Sequence, residues 1–139
     1  MKKDHCAIRP WRLQVVVVLL LCTMPMVAMS QDSPFTVARL VVCDGVENRT
    51  PVNVMDRFPA GTETVFCFLE ARDIPEVTEV KMVWYHEEQE VAQVPLTIGQ
   101  GNRWRTYTSK RTMALKGNWK VYLLDSADNT LASVQFVLE

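Results

Sequence analysis

Histidine and cysteine are scarce in this chain, and their scarcity limits its chemistry. Among 139 residues there are two histidines and four cysteines, and after position 30 only His86, Cys43 and Cys67 remain. Nucleophilic catalysis needs a base beside the nucleophile, and no Gly-x-Ser-x-Gly turn is present. Two thiolates and one imidazole are one ligand short of a tetrahedral zinc site. The sequence therefore predicts no catalytic residue, no metal and no cofactor.

Glycine and positive charge are also in short supply. The chain has five glycines, and they form neither a phosphate-binding loop nor a dinucleotide fingerprint. After position 30 there are 11 Lys and Arg against 15 Asp and Glu, a net charge of −4. A mildly acidic domain is soluble and lacks the basic balance of a nucleic-acid binder. We therefore expect no nucleic-acid partner.

The first thirty residues have the three-part order of a secretory signal peptide. Their positive charges are Lys2, Lys3, Arg9 and Arg12. A short apolar core follows over 13–22, and Ala28-Met29-Ser30 supplies small residues where signal peptidase cleaves. We predict a leader over 1–30, one domain over 31–139, and a periplasmic or extracellular location without a transmembrane span. The alternative is a retained anchor, for which the apolar stretch is short of the roughly 20 residues that cross a bilayer.

Export also bears on the remaining cysteine pair. Cys43 and Cys67 are separated by 24 positions, and in an oxidising compartment such a pair favours a disulfide. Closing this loop would stabilise the domain by roughly 3 to 4 kcal/mol on the chain-entropy model. A redox-active dithiol would need Cys-x-x-Cys spacing, which is absent. We predict a structural Cys43–Cys67 bond.

A rhythm of strands and turns runs through 31–139. Seven β-rich segments are predicted, over 36–43, 63–71, 77–86, 91–98, 103–113, 118–126 and 130–138. Apolar and polar residues alternate in the later segments; Trp119, Val121 and Leu123, for example, share one face. About seven strands without a helical stripe predict an all-β, immunoglobulin-like sandwich. The turn at 99–102 predicts a hairpin, so the last four strands would form a meander.

An ordered set of short segments resembles a known family. The segments are Gly45-Val46-Glu47-Asn48-Arg49-Thr50-Pro51-Val52, Val83-Trp84-Tyr85, Arg103-Trp104-Arg105-Thr106, Ser109-Lys110 and Gly117-Asn118-Trp119-Lys120-Val121, followed by 124–129 and 131–133. Over roughly 38–137 the chain resembles a family of bacterial secreted domains, domain of unknown function twenty-nine-fourteen. It departs from the family at Met82, where the family has a histidine two residues before the tryptophan. The resemblance implies export and a compact β fold, and it carries no known activity.

Charge is segregated along the chain. No Asp or Glu occurs over 91–124, which holds six Lys and Arg, whereas 63–90 holds eight acids and two bases. Arg103, Arg105 and Tyr107 alternate onto one face of their strand, with Trp104 on the other. Trp104 and Trp119 are the better core candidates, so the Arg-bearing face would be exposed. We predict a ligand-binding row of Arg103, Arg105, Tyr107 and Lys110.

Two interpretations of this row remain open. Arginine suits planar anions and aromatic stacking, so the row would bind an anionic glycan, a lipid head group or an acidic protein. Interleaved Arg and aromatic side chains can also simply cover a sheet, each ion pair contributing at most about 1 kcal/mol. The sequence thus favours a non-catalytic binding or structural module of the cell envelope. The rival class is a small hydrolase or redox protein using His86 or the Cys43/Cys67 pair.

The order of the leader predicts one processing event. The exported protein should begin at or near Gln31, because Ala28-Met29-Ser30 ends the signal sequence. Intact-mass analysis of the protein recovered from the cell envelope checks this. A product that still carries residues 13–22 would contradict it.

Overall fold

A computed structural model of the chain describes residues 33–139, which form nine strands. The strands are β1 (Thr36–Glu47), β2 (Thr50–Val54), β3 (Arg57–Phe58), β4 (Thr64–Ile74), β5 (Thr78–His86), β6 (Gln89–Ile98), β7 (Gly101–Arg111), β8 (Gly117–Asp125) and β9 (Thr130–Leu138). No helix in this part of the chain is long and apolar enough to cross a membrane. The predicted leader over 1–30 lies outside the described residues.

The strands form two sheets. Sheet A has the order β2-β1-β4-β7 and sheet B the order β3-β9-β8-β5-β6. Strands β1, β4 and β7 correspond to strands A, B and E of an immunoglobulin domain, and β5, β8 and β9 to C, F and G. The predicted all-β, immunoglobulin-like sandwich is therefore confirmed.

Alternation along the strands separates a core face from an outer face on each sheet. In β4 the residues Val65, Cys67 and Leu69 enter the core, and in β8 Trp119, Val121 and Leu123 do so. All six are nearly or fully buried. Each sheet has one face in the core and one face turned outward, which the period of two requires. The outer faces are therefore free to carry function.

The two buried tryptophans have partners for their polar atoms. The Trp84 indole donates to the Thr108 hydroxyl at 3.2 Å, and that hydroxyl donates to the Met82 sulfur at 3.1 Å. The Trp119 indole donates to the Leu115 carbonyl at 2.9 Å. Met82, where the resembled family has histidine, is thus a core residue whose thioether accepts a hydrogen bond.

The predicted meander is wrong. After β6 the chain crosses from sheet B to sheet A, where β7 pairs along its length with β4. The segment at 99–102 therefore connects the two sheets instead of forming a hairpin. Ile98 ends β6 fully buried, and Gly101 at φ 148° lies in a region of φ that suits glycine. This connection directs the basic segment to the acidic β4. Of the predicted meander, only the β8–β9 hairpin forms.

Two strands fall in segments that the sequence assigned to turns. β2 contains Pro51 and lies at the edge of sheet A, where a missing N–H is tolerated. β3 has two residues and pairs in parallel with β9. Both are too short or too irregular to be recognised from alternation alone.

The predicted disulfide is not formed in the structure, where Cys43 and Cys67 are free, buried thiols. Cys43 lies directly opposite Phe66, and Cys67 directly opposite Val42. Directly opposed residues share a face and successive residues alternate, so the two thiols are on opposite faces of sheet A. Bringing them together would require a one-residue slip of β1, which would move Val42 out of the core.

Thiol chemistry tests this geometry. Burial raises the pKa of both thiols, so alkylation of the folded protein should be slow. In denaturant without reductant, both cysteines should label fully, and prior reduction should not change the count. Mass spectrometry of the alkylated, exported protein gives the result. Labelling that appears only after reduction would contradict the free-thiol structure.

Candidate functional site

The outer face of sheet A carries a cluster of arginines. Four of its arginines lie together at one end of the sheet: Arg39 on β1, Arg72 on β4, and Arg103 and Arg105 on β7; Arg111, on the same face of β7, pairs with Thr64 at the other end. In the ladder Arg39 lies opposite Glu70, which lies opposite Arg105, and Arg72 lies opposite Arg103. We call this surface the arginine face. The ladder builds it from residues that are up to 66 positions apart in the sequence.

One carboxylate serves the whole arginine face. Glu70 accepts a hydrogen bond from Arg72 at 3.0 Å and from Arg103 at 2.5 Å on the same oxygen, Oε1. Its side chain is 11% exposed, whereas both arginine side chains are 49% exposed. Against four arginines, Glu70 leaves a surplus of three positive charges. In the described part of the chain, no ion pair involves Arg39 or Arg105.

A cavity adjoins this face. It has a volume of about 230 Å³ and is lined by Arg49, Arg103, Trp104 and Arg105. Three guanidinium groups beside one indole form a cationic recess, because arginine presents several fixed N–H donors and stacks well on aromatic rings. We call it the arginine cavity. Its size suits a single carboxylate, sulfate or phosphate group with part of its carrier.

Arg49 enters the cavity from a strained turn. Glu47 pairs with Thr50, so Asn48 and Arg49 form a two-residue hairpin loop, with φ of 49° and 57°. Positive φ at both positions defines a type I′ turn, whose second position favours glycine. A left-handed conformation costs an ordinary L-residue about 1 to 2 kcal/mol. The chain thus places a long cation where glycine would be more stable.

Trp104 owes its place to Gly99. A Cβ atom at Gly99 would lie 2.4 Å from Cζ3 of the Trp104 ring, a distance that no real contact allows. The indole is therefore packed against bare backbone at the end of the sheet, where it is 40% exposed. The expectation that Trp104 is a core residue is wrong for this reason, whereas the same expectation for Trp119 is confirmed at 2% exposure.

The four residues of the predicted binding row lie on two different faces of β7. Arg103, Arg105 and Tyr107 share the outer face, as their alternation predicts. Lys110 does not belong with them, because it lies opposite the core residue Val65 and its ammonium donates to the Arg111 carbonyl at 3.0 Å. The period of two excludes it: 110 differs from 103 by an odd number.

Tyr107 has a covering role that can be read from its contacts. Its ring lies 6.0 Å from that of Phe66, and it sits opposite Phe68, which is only 2% exposed although it points outward. The tyrosine is itself 48% exposed. It therefore shields apolar surface and also extends the arginine face with an accessible ring.

Sequence reasoning missed Arg39, Arg49, Arg72, Glu70 and the position of Trp104 in the wall of the cavity. Arg39 and Arg72 could be placed only with the strand register. The sequence could have indicated Arg49. A two-residue loop that begins with Asn between two apolar segments predicts left-handed backbone at its second position, and here that position is Arg49 and not glycine.

The groups of the rival, catalytic interpretation are engaged elsewhere. The His86 Nε2 atom lies 2.8 Å from the Lys116 carbonyl, and its ring packs on Trp119 with centroids 4.8 Å apart. A carbonyl only accepts, so this nitrogen carries a proton and donates. Among residues 33–139 no three His, Cys, Asp or Glu side chains form a group that could hold a metal ion.

Comparison with known proteins gives a family and no activity. The family model described as "Protein of unknown function (DUF2914)" matches residues 77–138. The predicted family resemblance is therefore confirmed over this segment, from just before β5 to the end of β9. No curated protein matches the chain.

Two solved structures are similar in part. A mutant β-glucosidase from Listeria innocua in complex with laminaribiose has a TM-score of 0.47 and 9% identity, covering 76% of this chain and 16% of that one. A β-glucosidase from Listeria innocua in complex with isofagomine has a TM-score of 0.43 and 10% identity, covering 72% and 16%. The matches thus span only about a sixth of each glucosidase, and at these scores they carry no conclusion about this chain.

Removing Glu70 tests the charge balance of the arginine face. Glu70→Gln should lower the free energy of unfolding by about 1 to 2 kcal/mol, because two charge-assisted hydrogen bonds weaken and four arginines lose their counter-charge. Added salt should recover part of the loss by screening the arginines. Urea unfolding at low and high salt measures both effects. Glu76→Gln, at an exposed position, is the matched control; equal losses in the two variants would contradict the account.

Proposed function

We propose that the domain is an exported, non-catalytic binding module of the cell envelope that holds an anionic group of its partner in the arginine cavity. The observation that carries the proposal is Arg49, a cation kept at a strained turn position that lines a cavity together with two further arginines. A residue that only covered the sheet would gain nothing from this position. Backbone strain is often found at functional sites, and of the nine described non-glycine residues with positive φ, Arg49 is the one that lines the arginine cavity.

The charges of the arginine face and the arginine cavity favour an anionic ligand. The arginine face and cavity hold five arginines and Glu70, and among residues 33–139 no acid lines the recess. Planar guanidinium groups bind carboxylate and phosphate through paired hydrogen bonds. Such charge-assisted hydrogen bonds are stronger where water is partly excluded. The Trp104 indole excludes water along one wall of the arginine cavity.

A non-catalytic role is supported by the state of the reactive groups. His86 is committed to the Lys116 carbonyl, and the thiols are buried with raised pKa values. A thiolate nucleophile requires the opposite, a lowered pKa and an accessible sulfur. The rival hydrolase and redox interpretations therefore lack an activated group. The export signal predicted over 1–30 supports an envelope location.

Arg49→Gly separates binding from stability. Glycine relieves the left-handed strain, so the free energy of unfolding should rise by about 0.5 to 1 kcal/mol. Binding of inorganic pyrophosphate, the minimal probe, should weaken several-fold because one of three guanidinium groups is lost. Asn48→Gly is the matched control: it relieves the same turn and should leave binding unchanged. Calorimetric titration and urea unfolding of both variants give the two quantities. Unchanged pyrophosphate binding in Arg49→Gly would contradict the proposal.

Arg105→Glu addresses the covering interpretation. If the arginine face binds, pyrophosphate binding should be lost, most clearly at low salt, while stability changes by no more than about 0.5 kcal/mol. If the arginine only covers the sheet, stability should fall and binding should persist. Anionic vesicles, a sulfated oligosaccharide and a polyglutamate peptide, each tested against this variant, identify the kind of carrier that displays the anion.

A further inference from the structure

A second concavity lies on the outer face of sheet B. It has a volume of about 840 Å³ and is lined mainly by the side chains of β5, β8 and β9 and by the two turns that follow β5 and β8. Its central residues are Tyr85, Lys120, Tyr122 and Gln135. We call it the tyrosine groove. No residue of the arginine cavity lines it.

The strand register forms a closed floor. Tyr85, Lys120 and Gln135 lie side by side in one row across three strands, and Val83 and Tyr122 pair in the next row. The Val83 side chain points outward but is only 1% exposed, because its neighbours cover it. The floor of the groove therefore has no gap at this position. Its floor is a continuous surface of aromatic, aliphatic and amide groups.

The two tyrosines are fixed relative to each other. Their ring centroids are 5.4 Å apart at an interplanar angle of 85°, an edge-to-face arrangement that stabilises aromatic pairs. The Lys120 ammonium lies 4.7 Å from the centroid of the Tyr122 ring. Because a cation of the protein already occupies this ring, Tyr122 is less available to a cationic ligand.

One rim of the groove is held by a contact that requires glycine. Glu87, in the turn after β5, accepts a hydrogen bond from the Asn118 amide at 2.7 Å and donates its own amide to the Asn118 carbonyl at 2.9 Å. A Cβ atom on Gly117 would lie 2.0 Å from Glu87 Oε1, and Gly117 also has φ of 115°. Any other residue at 117 would be strained at this φ and would push the Glu87 carboxylate aside.

The opposite rim is held by Asp125. Its carboxylate accepts the Ala127 amide at 2.9 Å and the Asn129 amide at 2.8 Å, and these bonds lower its pKa. Asp128, in the same turn, forms an ion pair with Lys81 on β5. Both rims are thus in place before any ligand arrives, which reduces the ordering that binding would require.

The polar groups of the groove select the class of ligand. Glu87, Glu88 and Asp128 outnumber Lys120, so the lining disfavours an anion. Hydroxyl and amide groups complete it, at Tyr85, Tyr122, Thr130, Asn118 and Gln135. These groups both donate and accept, as the hydroxyls of a sugar do. Aromatic rings also stack on the apolar faces of sugar rings. We propose that the tyrosine groove binds a neutral glycan chain, independently of the arginine cavity.

The test uses three neutral probes, cellohexaose, chitohexaose and maltohexaose, titrated into the purified protein by calorimetry. At least one should bind with a sub-millimolar Kd. Tyr122→Ala should weaken that binding about tenfold or more, and Gln135→Ala, an exposed and milder change, should weaken it several-fold. Gln93→Ala, on the same outer face but not among the residues that line the groove, is the matched control and should bind normally.

Several results would overturn the proposal. They are binding of none of the three oligosaccharides, equal binding by the Gln93 and Gln135 variants, and Tyr122-dependent binding of hexalysine in their place. Arg105→Glu should leave oligosaccharide binding unchanged and Tyr122→Ala should leave pyrophosphate binding unchanged. Each site can therefore fail without the other.

Discussion

The continuous antiparallel ladder between β4 and β7 sets both faces of sheet A at once. Residues Cys67 and Thr108 meet across it on the core side, while Glu70 and Arg105 meet across it on the outer side. A slip by one residue would exchange the two sets, so the burial of the core also fixes the positions of Arg72, Arg103 and Arg105.

Within this register, stability and binding have opposite requirements. Glu70 stabilises the arginines that it neutralises, yet each charge that it neutralises is lost to a ligand. Arg49 carries a backbone conformation that glycine would adopt at lower cost. Four arginines around one carboxylate are more than a covering role needs. The fold thus bears a small loss of stability in exchange for a concentrated positive field.

The sequence predicted what alternation controls. The sandwich, the core position of Trp119 and the shared face of Arg103, Arg105 and Tyr107 follow from a period of two. It failed where the chain changes sheets or where partners are distant in sequence: β7 pairs with β4, and Arg49 lines the same cavity as Arg105 although it belongs to another hairpin. The disulfide was expected from spacing and export, but spacing does not reveal that Cys43 and Cys67 face opposite sides. Lys110 could have been excluded from the predicted binding row by applying the same period of two to residue 110.

The two outer faces of the sandwich differ in chemistry as well as position. Sheet A presents guanidinium groups, and sheet B presents tyrosines between two fixed acidic turns. The charge segregation of the sequence does not by itself give this separation, since the acid-free segment contributes β7 to sheet A but most of β6 and β8 to sheet B. Under the two proposals, an anionic group and a neutral chain would bind to separate faces and would not compete.

The most direct test of the anion-binding account is an NMR titration of the indole N–H groups with pyrophosphate. Trp104 lines the arginine cavity, whereas the indoles of Trp84 and Trp119 are bonded inside the core. The account predicts a saturable shift of the Trp104 resonance, together with the Nε resonances of Arg103 and Arg105, and no shift of the two core indoles. An unchanged Trp104 resonance at saturating pyrophosphate, or equal shifts of all three indoles, would contradict it.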